Sequence, residues 1–505
     1  MQRAVHRIAG RLVGGPAARR TMASLSPSAS MAAAGTTETR TPRLTRLAVP
    51  ASVERLPRLE PGSAAAEAFV QQTAADPSGF LDGLRDQFTL RLPLVGLRIA
   101  GRQATRIQAE PAIKGAVLRL PKVKHLLPDD AGDASRRILL LNVAAVDDLD
   151  ERARHFLEEA AAAREEEEGH AQPTQQHLTV DYGHWTADEV LGALLPLGLP
   201  EGTPTAFTST GHIAHLNLRA DYLPYRHVIG QVILDKNARM VRTVVNKLDT
   251  IDAEFRFFAM ERLAGADDYA VVLSEGGCSF AFDFRTVYWN SRLHAEHARL
   301  VARFAPYAVV CDVMAGVGPF AVPAARKGCW VLANDLNPAS HAALCANAAR
   351  NHVAANVRPA CLDGRDFIRR SIQKQEQKEP AAISRAPPQR LIDDFVMNLP
   401  ASALEFLDAF RGAYRPIAGP ELDAEVARRA SEEGTAAWPM VHVHCFTKDL
   451  ERPHEDICAR ASHILGLGDG PRRLLSLHYV RAVAPNKDMY CLSFRLTPSI
   501  LFDEA

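Results

Sequence analysis

A chain of 505 residues, at about 100 to 200 residues per domain, has room for two to four domains and a large core. Its 47% apolar and 23% charged residues are ordinary globular values, which excludes wholesale disorder and a collagen-like or coiled-coil chain. Lys plus Arg equals Asp plus Glu at 59 each, so the whole chain offers no field to a nucleic acid, and such a partner requires a local basic patch.

Residues 1–46 read as a targeting presequence. Arg3, Arg7, Arg11, Arg19 and Arg20 precede any acid, the first being Glu38, and a Ser/Ala-rich stretch follows around Ser24 to Ala34. On a helix Arg3, Arg7 and Arg11 share one face while Val5, Ile8 and Leu12 form an apolar stripe, as a mitochondrial import signal requires. Met22 and Met31 are downstream starts that would drop the signal, so a matrix pool together with cytoplasmic and nuclear pools is expected. Residues 47–150 form a first module, ending in the apolar run Ile138 to Val146. An acidic insert and connection follow at 151–204, with six glutamates between Glu158 and Glu168 reading as a solvated helix face. Residues 205–305 read as an α+β module.

From 306 to 505 the pattern becomes βαβ. Strands are expected at Ala308 to Met314, Trp330 to Asn334, Val357 to Leu362, Leu391 to Asn398, Met440 to Phe446, Leu475 to Val483 and Met489 to Leu496. Helices fall at Pro338 to Arg350 and Ala401 to Phe410. The fold class is α/β, a doubly wound Rossmann-like sheet whose last two strands have no helix between them, preceded by α+β modules. Ser371 to Arg390 and Pro416 to Ala437 break the spacing and read as surface loops. Eight cysteines from Cys278 to Cys491 include no C-x-x-C pair and look like small core residues of a reduced protein. His442, His444 and Cys445 alternate along an apolar run, so a buried strand is expected there and no metal. No apolar run approaches the ~20 residues of a membrane-spanning helix.

Asp312-Val-Met-Ala-Gly316-Val-Gly318-Pro-Phe320 lies where the first strand of that sheet turns into its helix, so a ligand site is expected in the crevice at the strand's carboxyl end. Gly316, Gly318 and Ala321 satisfy a loose G-x-G-x-x-G/A pattern that does not separate NAD from S-adenosylmethionine. Pro319 leans toward the second, because it removes a backbone N–H that a pyrophosphate would use. Asn334-Asp335-Leu336-Asn337 ends the second strand and places Asp335 for ribose hydroxyls, while Asp363 and Gly364 end the third and border the adenine. The fourth ends at Asn398-Leu-Pro400, where an amide can hold a planar base through paired donor and acceptor contacts.

Together, several blocks resemble the archaeal and eukaryotic family of tRNA (guanine-N1)-methyltransferases acting on guanosine 37. They are the Gly211 to Arg219, Ile229 to Asn237, Val244 to Lys247 and Phe284 to His297 blocks, the Asp312 loop, Asn398-Leu-Pro400 and Val480 to Lys487, and they span about Thr205 to Leu496. The resemblance implies Glu296 as the general base for guanine N1, Arg256 as the partner of guanine O6, and Tyr288 with Asn398 positioning the base. It also implies that His297, Asp335, Leu336, Asp363, Gly364 and Asn398 line the S-adenosylmethionine pocket and that an N-terminal module inspects tRNA shape; separately, no metal and a monomer are expected. The departures are the two inserts and the amino-terminal extension.

The chemistry fits those roles. Neutral guanine carries a proton on N1, so a carboxylate must take it, and the negative charge that develops on O6 calls for a guanidinium. From Arg219 to Lys247 there are six Lys or Arg against Asp221 and Asp235, a plausible phosphate-contacting face, and Tyr222, Tyr225, Tyr288 and Trp289 are candidates to stack an extruded base. The rival readings are a wyosine-pathway transferase moving the aminocarboxypropyl group of the same cofactor, a silent tRNA-binding protein, and an NAD-dependent oxidoreductase.

Overall fold

The run Val309–Asp312 is buried along its whole length, as the central strand of a parallel sheet covered on both faces must be. The computed structural model describes residues 47, 49–50, 53, 60, 62–164, 170–196, 198–200, 202–248, 259–373, 391–433, 438–467 and 476–502. Among them, contacts define two compact units, Pro93–Gln176 and, as the second, Leu47–Leu92 with His177–Ala505.

The first unit is a four-stranded sheet, β2-β3-β1-β4, of β1 (Leu90–Ala100), β2 (Leu126–Pro128), β3 (Arg136–Leu140) and β4 (Ala171–Val180). Strands β1 and β3 are antiparallel, with Gly96 opposite Leu140. Its core joins Leu97, Ile99, Leu139 and Leu141 to Leu157 and Ala160 of the helix Glu151–Ala162 and to Ala171. That shared core is why the unit runs on to Gln176 rather than ending at 150. Asp150 caps the helix by accepting the Ala153 N–H at 2.9 Å. Glu158 and Glu159 lie on its solvent side, and residues 165–168 of the expected acidic face lie outside the described residues.

The segment Leu47–Leu92 packs with the second unit instead. Phe69 of the helix Ala64–Ala75 meets Tyr225 at a ring separation of 6.2 Å, and the Trp185 indole donates to the Phe88 carbonyl at 2.7 Å. Strands β5 (Thr208–Thr210), β6 (Ile213–Leu216), β7 (Thr243–Lys247) and β8 (Met260–Gly265) form a mixed sheet in that order. The helix Arg226–Lys236 makes the crossover between parallel β6 and β7. A hairpin of β9 (Ala270–Glu275) and β10 (Cys278–Asp283) turns at Gly276 and Gly277, both with positive φ, as a two-residue turn matched to strand twist requires.

The large sheet holds β11 (Val309–Asp312), β12 (Trp330–Asn334), β13 (Val357–Ala360), β14 (Asp394–Met397), β15 (Met440–Thr447), β16 (Ser476–Ala484) and β17 (Lys487–Arg495), in the order β13-β12-β11-β14-β15-β17-β16. All are parallel except β17, which runs antiparallel to β15 and β16, as the absence of a helix between β16 and β17 demands. Chain order reverses at β11, so the crevice opens beyond its carboxyl end. One core cluster combines Val310, Phe320, Ala333 and Val396 with Ile213, Val245, Phe280 and Trp289, so residues 205–305 and 306–505 share a single interior.

Two expectations are corrected. Within Pro416 to Ala437 the chain forms the helix Pro420–Glu433, with Leu422 in the second core cluster and Val426, one turn on, packed against it, so an apolar pair docks an otherwise charged segment. Ser371 and Ile372, expected in the other loop, belong to the helix Gly364–Gln373 and are buried, and residues 374–390 lie outside the described set. Among the described residues no helix is long and apolar enough to cross a membrane.

Candidate active site

The parallel register aligns Asp312, Ala333 and Val396, so the loops after β11, β12, β13 and β14 emerge side by side. Gly316 has φ +54° and a Cβ there would meet nothing within 4 Å, so its backbone borders open space. Gly318, at φ +101°, has the opposite reason: a Cβ would press on Val322 and Leu344 at 2.8 and 2.9 Å. Asp335 accepts the Gly316 N–H at 2.8 Å on one oxygen and the Asn337 N–H at 2.9 Å on the other. The Ser340 side chain also reaches this carboxylate, and the acceptor capacity that remains suits it to a hydroxyl. Leu336 beside it is 44% exposed and offers an apolar face. Asp363 caps its helix, accepting the Arg365 N–H at 2.8 Å, and Gly364 leaves room for the Phe406 ring, which a Cβ would meet at 3.0 Å.

Asp312 is fully buried, and neither carboxylate oxygen has a hydrogen-bond partner among the described residues. Burial, reinforced by the charge of Asp335, pushes it up to about 8. A dry carboxyl so short of donors ionises more readily beside a positive charge, which suits it to a cationic ligand in the crevice. S-adenosylmethionine carries such charge and no phosphate, so the residues present fit it, with Asp312, Asp335 and Leu336 the groups that would hold it.

Beside this crevice the helix His294–Arg303 presents Glu296 and His297, both 5% exposed. His297 donates its Nδ1–H to Glu275 Oε1 at 2.6 Å, and its ring packs edge-on to Phe320 of the glycine loop at 4.7 Å. Glu296 meets Arg299 in a two-pronged ion pair, Nε to Oε2 at 2.6 Å and a terminal nitrogen to Oε1 at 2.8 Å. His444 Nε2 lies 2.8 Å from Oε1. Burial alone would raise this carboxyl, but Arg299 and His444 outweigh it and hold Glu296 at about 2. Reciprocally, burial disfavours charge on His444, while Cys491 and Glu296 raise it to about 10. Glu296, His444 and Cys491 bring one ligand atom each within 4.8 Å, yet Arg299 already pairs with both Glu296 oxygens and His444 with Oε1, so the carboxylate's charge is met without a cation.

Asn398 follows β14, and its Oδ1 is buried with no partner among the described residues, leaving an acceptor for an incoming donor. Tyr288 is 44% exposed. Arg256 lies outside the described residues. The other aromatic candidates are corrected: Tyr222, Tyr225 and Trp289 are buried, Tyr222 bonding the Pro200 and Gly202 carbonyls and Trp289 packing on Phe280 and Phe282. Part of the basic stretch is used internally, since Arg226 pairs with Glu261 and Arg242 with Asp268, while Arg219 and Arg239 stay exposed.

Residues 187–268 match the TYW2 N-terminal domain and residues 271–417 the TRM5/TYW2 methyltransferase domain. A protein of Coprinopsis cinerea named tRNA (guanine(37)-N(1))-methyltransferase is 43% identical over 455 residues, covering 83% of this chain and 94% of its own. The chain belongs to the tRNA (guanine(37)-N1)-methyltransferase family. A Schizosaccharomyces pombe protein of the same name is 44% identical over 77% of this chain and 88% of its own, and one from Phytophthora infestans is 41% identical over 82% and 92%. Among solved structures, Trm5b of Pyrococcus abyssi aligns over 79% of this chain and 98% of its own, with a TM-score of 0.50 at 19% identity. A structure described as a complex of aTrm5 and tRNALeu aligns over 80% and 100%, with a TM-score of 0.53 at 18% identity. At that identity both likenesses speak for the fold, a class I S-adenosylmethionine-dependent methyltransferase sheet.

Sequence reasoning about this family member missed Arg299, Glu275 and Cys491 and treated His444 as plain core. Arg299 carried a signal, since a Glu and an Arg three apart on a helix share a face. His444 carried only its alternation, and nothing local tells that its strand faces a helix 148 residues earlier.

Proposed function

We propose that the chain methylates N1 of guanosine 37 in tRNA, with S-adenosylmethionine as donor. The observation that carries this reading is the buried Glu296, held by Arg299 and His444 beside the crevice of a methyltransferase sheet, in a chain 43% identical to a protein named for that reaction. When bound, S-adenosylmethionine supplies an electrophilic methyl on its sulfonium. The residues of the chain do the rest. Glu296 takes the N1 proton, so that the N–H electron pair becomes the lone pair that attacks carbon. Asn398 offers its unpartnered Oδ1 to a donor on the guanine edge, and exposed Tyr288 offers a face for the base. Arg256 is the candidate for stabilising O6, a role that rests on family resemblance. Asp312 would supply negative charge toward the sulfonium, Asp335 would hold the ribose hydroxyls, and Leu336, Asp363 and Gly364 would border the adenine, with Gly316, Gly318 and His297 shaping the loop. The arginine-rich leader supports a mitochondrial pool, and a fusion of residues 1–46 to a fluorescent protein tests it.

Glu296→Gln keeps the shape and removes the base. In single-turnover assays with saturating tRNA, the variant loses about 100-fold or more in the methyl step with little change in tRNA affinity. A wild-type rate removes Glu296 from the role.

A further inference from the structure

Three strands bring a row of side chains beneath Glu296. His444 on β15 pairs with Cys491 on β17, and Cys491 pairs with His478 on β16, so the three project from one face of the sheet. Glu296 reaches that row from the helix above, with Oε1 at His444 and Oε2 3.8 Å from His478 Nε2. Arg299, one turn along the same helix, closes the remaining side with its two-pronged bond. Oε1 thus accepts two hydrogen bonds and Oε2 one, which leaves Oε2 a lone pair for one more proton.

We propose that Arg299 and His444 are positioning residues for the deprotonation of guanine N1: they hold Glu296 ionised and aimed, with Oε2 as the oxygen that receives the proton. The proposal rests on the reading of Glu296 as the base. A carboxylate this deep, standing alone, is neutral through much of the acidic range, and a neutral acid takes no proton. Arg299 and His444 reverse that balance. The other charged groups facing the site do not replace them. His478 is pushed down by burial and by Arg299, with Arg303 and His444 acting in the same direction. Burial raises the Cys491 thiol, but His444 and His442 pull it down to about 6, which adds negative charge. Asp312 acts on His444 across the row and, buried, adds no positive charge.

The arrangement exchanges strength for readiness. A base held at low proton affinity is always charged but pulls weakly, so the proton leaves N1 only as the N1–carbon bond forms. In that step the N1–H pair becomes the N1–C bond, the carbon–sulfur pair departs with sulfur, and the proton rests on Oε2.

The test is the single-turnover rate of methyl transfer against pH, from about pH 5 to 8, at saturating tRNA and S-adenosylmethionine. Wild type and Arg299→Gln are compared, with Arg299→Lys, His444→Gln and Glu296→Gln alongside. Arg299→Gln gains an acid limb, falling about tenfold per pH unit below its new midpoint and recovering as pH rises. Arg299→Lys, which keeps the charge but not the two-pronged geometry, falls between, and His444→Gln moves the same way by less. Tight cofactor and tRNA binding by each variant shows that it is folded. An Arg299→Gln profile parallel to wild type overturns the proposal, whether the rate is uniformly lower or unchanged. Glu296→Gln separates the two claims: loss at every pH leaves the base in place, whereas a wild-type rate for Glu296→Gln sinks the base and the proposal together.

Discussion

Asp312 is the buried acid whose state must change when a cationic ligand arrives. Its folded value, about 8, stands above the ordinary 3.8, so burial holds it protonated near neutrality, and ionising it costs stability increasingly as pH rises from the ordinary value toward the folded one. A positive charge in the crevice reverses the preference. Cofactor binding between about pH 5 and 7 is therefore expected to release a proton, visible in calorimetry as an enthalpy that depends on the buffer's ionisation heat. Asp312→Asn removes the release and weakens binding, and a buffer-independent enthalpy for the wild type would contradict the assignment. Asp312 and the glycines were legible in the sequence because strand-end loops in an open sheet have few physical purposes. Arg299 and His444 were not legible as a pair, since their meeting depends on the packing of a helix over three strands distant in sequence.

The elements that frame the crevice are tied together by buried amides. Asn347, on the helix Pro338–Arg350, donates to the Val317 carbonyl at 3.0 Å and accepts the Ala281 N–H of β10 at 2.8 Å. Asn351, a turn later, does the same for the backbone of Ser279. Strand β10 is therefore riveted to the helix that lies behind the glycine loop. Asn347→Ala strands a buried donor and a buried acceptor and is expected to cost about 2–4 kcal/mol, read from the midpoint of denaturant unfolding. A loss below about 0.5 kcal/mol would mean the backbone groups find other partners. Strands β11, β14 and β15 of the large sheet were readable because buried parallel strands are continuous apolar runs, and β16 and β17 because they form adjoining strands with no helical stretch between them. The helix Pro420–Glu433 was not, because a single apolar pair among charges carries too little periodicity to separate a docked helix from a loop.

The unit Pro93–Gln176 has its own core and interrupts the second unit between Leu92 and His177. The large sheet draws its core from the second unit alone. Replacing residues 93–176 by a short linker should therefore leave cofactor affinity unchanged while weakening tRNA binding, and loss of cofactor binding would contradict that independence. The central claim, that the chain methylates guanosine 37 at N1, is tested most directly with unmodified tRNA transcripts carrying guanosine or adenosine at position 37. Each is incubated with labelled S-adenosylmethionine, and the nucleosides are resolved by mass spectrometry. The account predicts 1-methylguanosine from the guanosine 37 transcript alone. Transfer to the adenosine 37 transcript, a mass gain larger than methyl, or no transfer despite binding of both substrates would contradict it.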